Sequence, residues 1–200
     1  MSAFRLNLRE ANVVQDPPLA QLLFSDRRFS VVWLVVRVLL GWSWLNSGLG
    51  KLSSPAWMET GAALQGYWTN AVAIPESGRP PIAYDWYRDF IQGLLDAGAY
   101  TWFAKLIVFG EILVGFALII GAFVGIAAFF GVLMNWNFIM AGSASTNGVL
   151  GLAGLLLILA WKTAGYIGAD YVLLPLLGTP WGRSQPDSST ADTGRTHEAG

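Results

Sequence analysis

Residues Trp102–Ala141 read WFAKLIVFGEILVGFALIIGAFVGIAAFFGVLMNWNFIMA, and Lys105 and Glu111 are the only charged side chains in this stretch. At about 1.5 Å per residue a single helix of this length would reach about 60 Å, roughly twice the hydrocarbon thickness of a bilayer. The stretch therefore predicts a hairpin of two membrane spans, about 102–120 and 123–141. Gly121 and Gly125 mark the turn. Their G-x-x-x-G spacing also suits close helix packing, but at a hairpin tip a turn is the simpler reading.

Working outward, Phe29 to Gly50 is apolar apart from Arg37 and a polar end at Ser43, Asn46 and Ser47, and it is read as a first span. It carries Arg37 and no A-x-A-like cleavage site, so it is expected to remain uncleaved. Gly142–Asn147 is a short polar loop, and Gly148 to about Gly165 is the expected fourth span. Gly148, Gly151 and Gly154 recur every third residue there and predict a smooth packing strip. Between the first two spans, residues 51–101 interleave proline, glycine, tryptophan and charge. Helical spacing over about 55–69 and 83–98 predicts a partly helical cap, with a Pro-rich loop at Ile74–Pro81. Residues 1–28 form an expected cytoplasmic arm, 29–178 the membrane domain, and 179–200 a polar, disordered tail. The expected fold is thus an all-α integral membrane bundle of four transmembrane helices with an extracytoplasmic cap. Arg27 and Arg28 before the first span oppose only Lys51 after it, which places both ends in the cytoplasm of a multi-pass cell-membrane protein.

Composition agrees: the chain is 54% hydrophobic and 12% charged, against about a quarter charged in an ordinary soluble domain. A formal charge of −1 with no basic stripe argues against a nucleic-acid partner. There is no cysteine, and the single histidine, His197, lies in the polar tail. Iron–sulfur, haem and zinc ligation by this chain are therefore not expected, and a redox role would need a diffusible cofactor or another subunit.

Arg37 and Glu111 fall inside expected spans. A charge at that depth costs about 2.5–3.5 kcal/mol on insertion scales and calls for a partner or a function. Counted from the span edges, the two differ by only about 5 Å in depth, which allows a midplane ion pair. Two readings coexist: a tie between helices, or a carboxylate that exchanges protons. Asn46, Ser47, Lys51, Asn135, Asn137 and Asn147 share one end with Trp42, Trp44, Trp102 and Trp136. Together they suggest an aromatic-lined polar pocket roofed by the cap and suited to a small amphiphile such as a quinone head group. The competing reading is interfacial tryptophan and helix-bridging asparagine. Gly48-Leu49-Gly50-Lys51 imitates a phosphate loop, but Leu45 and Leu52 stand where glycine and Ser/Thr are needed.

The arginine in span one, Gly50-Lys51-Leu52 at its end, Gly110-Glu111 early in span two, the asparagines of span three and the closing Ala164–Asp170 stretch resemble the DoxX/DoxD-like membrane protein family. The long loop after span one is more similar to the DoxD type, the small subunit of thiosulfate:quinone oxidoreductase. That resemblance implies a four-helix membrane subunit linked to quinone and sulfur-compound redox chemistry. Arg37, Lys51, Glu111, Asn135 and Asp170 are its characteristic polar residues. Tyr166 and Ile167 depart from it, standing where relatives often carry a basic residue. The resulting expectation is a quinone-linked oxidoreductase subunit acting on thiosulfate or a related compound at the outer face. Glu111, Arg37 and Lys51 are its candidate catalytic residues, and Trp44, Asn46, Trp102, Asn135, Trp136 and Asn137 its candidate quinone-binding residues. The alternative is a non-catalytic membrane subunit that docks a redox partner or respiratory complex. A transporter is less supported, because no inverted repeat is evident.

Overall fold

The computed structural model describes residues 16–179 and 181. The first fifteen residues of the expected arm and nearly all of the expected disordered tail lie outside the described residues.

Helix is the regular secondary structure of the described residues. A short helix α1 (Pro18–Ser25) leads through a single 3-10 turn (Arg27–Phe29) into α2 (Ser30–Leu52). The cap follows as α3 (Pro55–Met58), α4 (Ala62–Val72) and α5 (Asp85–Asp96), and then come α6 (Tyr100–Ile120) and α7 (Val124–Met140). The expected fourth span is divided into α8 (Asn147–Leu159) and α9 (Trp161–Gly165), and α10 (Asp170–Leu176) ends the fold. The helix leaves the α-conformation at Ala160, where φ is −91° and ψ 13°.

Two segments, Arg27–Leu52 and Tyr100–Ile120, are long and apolar enough to cross a membrane, with mean hydropathies of 1.5 and 2.3. They run antiparallel in close contact because glycines line the seam. A Cβ on Gly115 would fall 2.4 Å from the Leu45 nitrogen, and one on Gly48 would fall 2.7 Å from Ile112 Cγ1. Only hydrogen fits there, so the two backbones approach more closely than side chains would allow. On α8, a Cβ on Gly154 would meet Val132 Cγ2 at 2.6 Å, whereas Gly148 faces open space. The expected glycine strip therefore packs at its inner positions only.

Gly121 turns the α6–α7 hairpin. Its φ of 73° lets its own N–H and that of Ala122 both reach the Ala117 carbonyl, at 2.9 and 3.0 Å, closing the helix end. Inside the bundle Trp33, Leu40, Trp44, Leu118, Val124 and Leu157 form the main core. A second core, made of Leu64, Trp68, Ile82, Tyr87 and Ile91, seats the cap on Ala104 of α6. The outside is apolar as well: Val35 and Leu39, Phe109, Leu113 and Phe116, Ile126 and Phe129, and Leu152 and Leu155 are all exposed. Buried polar groups within and large apolar residues without are the arrangement expected of helices solvated by lipid.

Candidate functional site: a polar chamber beneath the cap

Glu111 belongs to the buried stripe of α6 that includes Ala104, Val108, Gly115 and Leu118, so helical spacing aims it at α2. There it meets Lys51, which sits in the last turn of α2, where the helix dipole favours a cation. The ammonium donates to Glu111 Oε1 at 2.6 Å, to Oε2 at 2.7 Å and to Ser47 Oγ at 2.7 Å. It also lies 5.2 Å from the centre of the Trp57 ring. Glu111 is 1% exposed and Lys51 21%.

This pair forms one wall of a chamber of about 320 Å³. Ser43, Trp44 and Ser47 complete the α2 side, Trp57 and Tyr67 come down from the cap, and Phe138, Ser143, Thr146 and Asn147 close it from α7 and the following turn. The Trp44 indole N–H and both amide atoms of Asn135 are buried without hydrogen-bond partners. Trp44 Nε1 lies 3.2 Å from where a Cβ of Gly131 would stand, and Asn135 is one turn farther along α7. Each such unpaired group costs about 1–3 kcal/mol unless water or a ligand completes it.

Tyr67 and Phe138, whose rings meet edge to face at 6.2 Å, line a second cavity on their far side. This cleft of about 470 Å³ is almost wholly apolar, and its rim residues Phe90, Leu106, Leu113 and Phe130 face outward between α5, α6 and α7. Its polar groups are the Tyr67 and Tyr87 hydroxyls and the Asn137 amide. Tyr67 donates to the Phe138 carbonyl at 3.2 Å, and Tyr87 to Asn137 through its carbonyl and Oδ1, both at 3.1 Å. These bonds engage carbonyls in the last turn of α7 and fasten the cap to it. Burial pushes the Tyr87 phenol up to about 12, with a smaller push from Tyr67. Burial likewise raises Tyr67, against a hydrogen bond from Ser143.

The expected Arg37–Glu111 pair does not form. Arg37 lies at the other end of α2, beside the hairpin tip, and donates from Nη2 to the Ile167 carbonyl at 2.8 Å. The depth count failed because Trp102 does not stand at the same level as the end of α2. Gly48 lies opposite Glu111, so the first two turns of α6, about 10 Å, rise into the cap layer. Asp170 supplies the charge opposing Arg37 and also caps α7, accepting from the Phe123 N–H at 2.6 Å and the Val124 N–H at 2.9 Å. Burial pushes the Asp170 carboxyl up, while those two N–H groups and Arg37 pull it down. Ala169 and Asp170 N–H groups bind the Ile120 and Gly121 carbonyls, completing a clasp.

Of the residues expected at one site, Lys51, Glu111 and Trp44 share the chamber. Asn135 is buried near it, and Asn137 lines the apolar cleft. Asn46, Trp102 and Trp136 point outward from their helices and line neither cavity. Arg37 belongs to the distant clasp. The sequence reading missed Tyr67 and Tyr87 as site residues. The signal was present in the cap, where Leu64, Tyr67, Trp68 and Ala71 recur at helical spacing. No family model, curated protein or solved structure matches this chain.

Proposed function

We propose that this protein is a multi-pass membrane subunit of a quinone-linked oxidoreductase, with the chamber at Lys51 and Glu111 taking a small polar substrate such as thiosulfate. The observation that carries the reading is the pairing of two unlike cavities across one aromatic partition. One is polar, lined by an ion pair whose carboxylate is buried; the other is apolar, with a lipid-facing rim, and Tyr67 and Phe138 separate them. An enzyme that joins a water-soluble reductant to a lipid-soluble acceptor needs such a pair of sites. The resemblance to the DoxX/DoxD-like family supports the same conclusion, as do the exposed apolar faces of α2, α6, α7 and α8. In this reading α2, α6, α7 and the α8–α9 segment are four spans. The cap is extracytoplasmic, and both chain ends are cytoplasmic.

The cleft fits a quinone by size, since small-molecule sites run from about 300 to 1,000 Å³. It fits by chemistry too, with apolar walls and hydroxyl and amide groups at one end. A quinone bound there supplies a two-electron, two-proton acceptor. Tyr67 and Tyr87 would donate to the ring's carbonyl oxygens by turning their hydroxyl protons away from the α7 oxygens they now engage, and the rim would admit the ring from the bilayer. Glu111 would hold or release a proton at its carboxylate, and Lys51 would keep that carboxylate oriented towards the chamber. Between the chamber and Arg37, α2 presents Leu40 and Gly41 against Leu118, an apolar seal. The chamber is thus closed on its inner side, which suits a one-sided binding site better than a conduit.

One observation favours the accessory reading: both Glu111 oxygens are engaged by Lys51, as in a clamp that only ties α2 to α6. Gentle affinity purification from native membranes, with mass spectrometry of proteins and lipids, separates the two. A stoichiometric quinone supports the oxidoreductase reading. A stoichiometric respiratory partner without a quinone held by this chain replaces it with a docking subunit.

A further inference from the structure

Lys51 has no proton left to offer a ligand. An ammonium carries three donors, and here two go to the Glu111 oxygens and one to Ser47 Oγ. The pair is formally neutral, so an anion entering the chamber meets no net attracting charge. It can engage Lys51 only by displacing the Glu111 carboxylate. Displaced in its ionised form, that group, now 1% exposed and paired, would lose its cation and face a second negative charge, a strongly unfavourable arrangement. A proton on Glu111 removes the conflict. The carboxyl then becomes a neutral donor and acceptor, and the Lys51 charge turns to the chamber. Ser43, Ser143, Thr146 and Asn147 already line that space with hydroxyl and amide groups.

The other elements around the pair bring little competing charge. Tyr67 is the titratable residue that α4 contributes to the lining; α3 contributes Trp57, α7 Phe138, and α8 with its preceding turn Thr146, Asn147 and Leu150. We propose that the chamber binds a small oxyanion together with one proton, the anion on Lys51 and the proton on Glu111. This rests on the chamber being the substrate site of the proposed function, and it names the form in which the substrate is held.

The test is equilibrium binding of sodium thiosulfate, with sodium sulfate as a second probe, to the full chain in detergent or nanodiscs. Fluorescence of Trp44 and Trp57, which line the chamber, reports occupancy, and calorimetry in two buffers of different ionisation heat counts protons. Binding is expected to tighten as pH falls, with about one proton taken up per anion. Glu111→Gln should bind the anion with no pH dependence, and Lys51→Met should not bind it. Affinity that is independent of pH with no proton uptake overturns the proposal. So does a failure of both anions to bind the wild type at millimolar concentration. The wild-type proton count decides the matter even if a variant fails to fold. Proton-linked binding without quinone reduction counts against the quinone-linked reading alone. Quinone reduction with proton-independent binding counts against this proposal alone.

Discussion

Helix α2 carries a cation near each end, Lys51 partly exposed and Arg37 buried, and the two are held in different ways. Lys51 meets side chains, Glu111 and Ser47, at the wall of a cavity. Arg37 meets backbone, the Ile167 carbonyl, and its guanidinium packs against Gly121 and Gly168. Its opposing charge, Asp170, spends both oxygens on the first N–H groups of α7. Side-chain partners can rotate and exchange protons while the helices stay in place, whereas backbone partners cannot move without moving the fold. On the proposed function, the clasp serves stability and the chamber is the candidate place for chemistry. A charge buried among helices is not by itself a mark of function.

The largest effect expected from breaking this comparison falls on the clasp. Asp170→Ala leaves Arg37 buried without its opposing charge and uncaps α7, so it should cost about 3–5 kcal/mol, read as loss of folded yield or thermal stability in detergent. Gly121→Ala comes next. Its Cβ would lie 1.7 Å from Arg37 Nη1 at a φ of 73°, and about 2–3 kcal/mol of destabilisation is expected by the same assay. A clasp variant that stays as stable as the wild type would dissolve the distinction.

The chamber should behave in the opposite way. Glu111→Gln keeps the shape of the side chain and an oxygen for Lys51, which is 21% exposed and can rehydrate, so stability should change by about 1–2 kcal/mol, less than in the clasp variants, while turnover drops about 100-fold or more. Equal losses of stability and turnover would move Glu111 into the structural class. The smallest effect concerns the cap. Tyr87→Phe removes a hydroxyl bond to α7, worth about 1 kcal/mol in thermal stability. The Tyr87 phenol titrates at about 12, above its unfolded value near 10. Its contribution is therefore complete below about pH 10 and lost as pH rises through about 12. An alkaline titration followed by tyrosinate absorbance should show the cap loosening in that window for the wild type and not for the variant.

The helices were legible because continuous apolar runs and glycine turns fix where they begin and end, as at Gly121. Lys51 and Trp44 were read in one outer pocket because both stand in the last turns of span one, whereas Glu111 was placed near the midplane opposite Arg37. Asn46, Trp102 and Trp136 were gathered with them on depth alone. Depth assigns a residue to a layer, whereas helical phase assigns it to a face. Asn46 lies about 200° around α2 from Trp44, and Trp136 about 100° around α7 from Asn135, so both turn away from the interior. The partner of Arg37 was hidden for a different reason. It required knowing that α6 begins inside the cap, a long-range packing fact that no local pattern in α2 or α6 records.

The most direct test of the central claim is thiosulfate-dependent quinone reduction by the protein purified with its native partners, for the wild type against Glu111→Gln at matched folded amounts. The expected result is reduction by the wild type and its loss in the variant, with the thermal transition little changed. No reduction by the wild type, or equal rates in the two proteins, would contradict it.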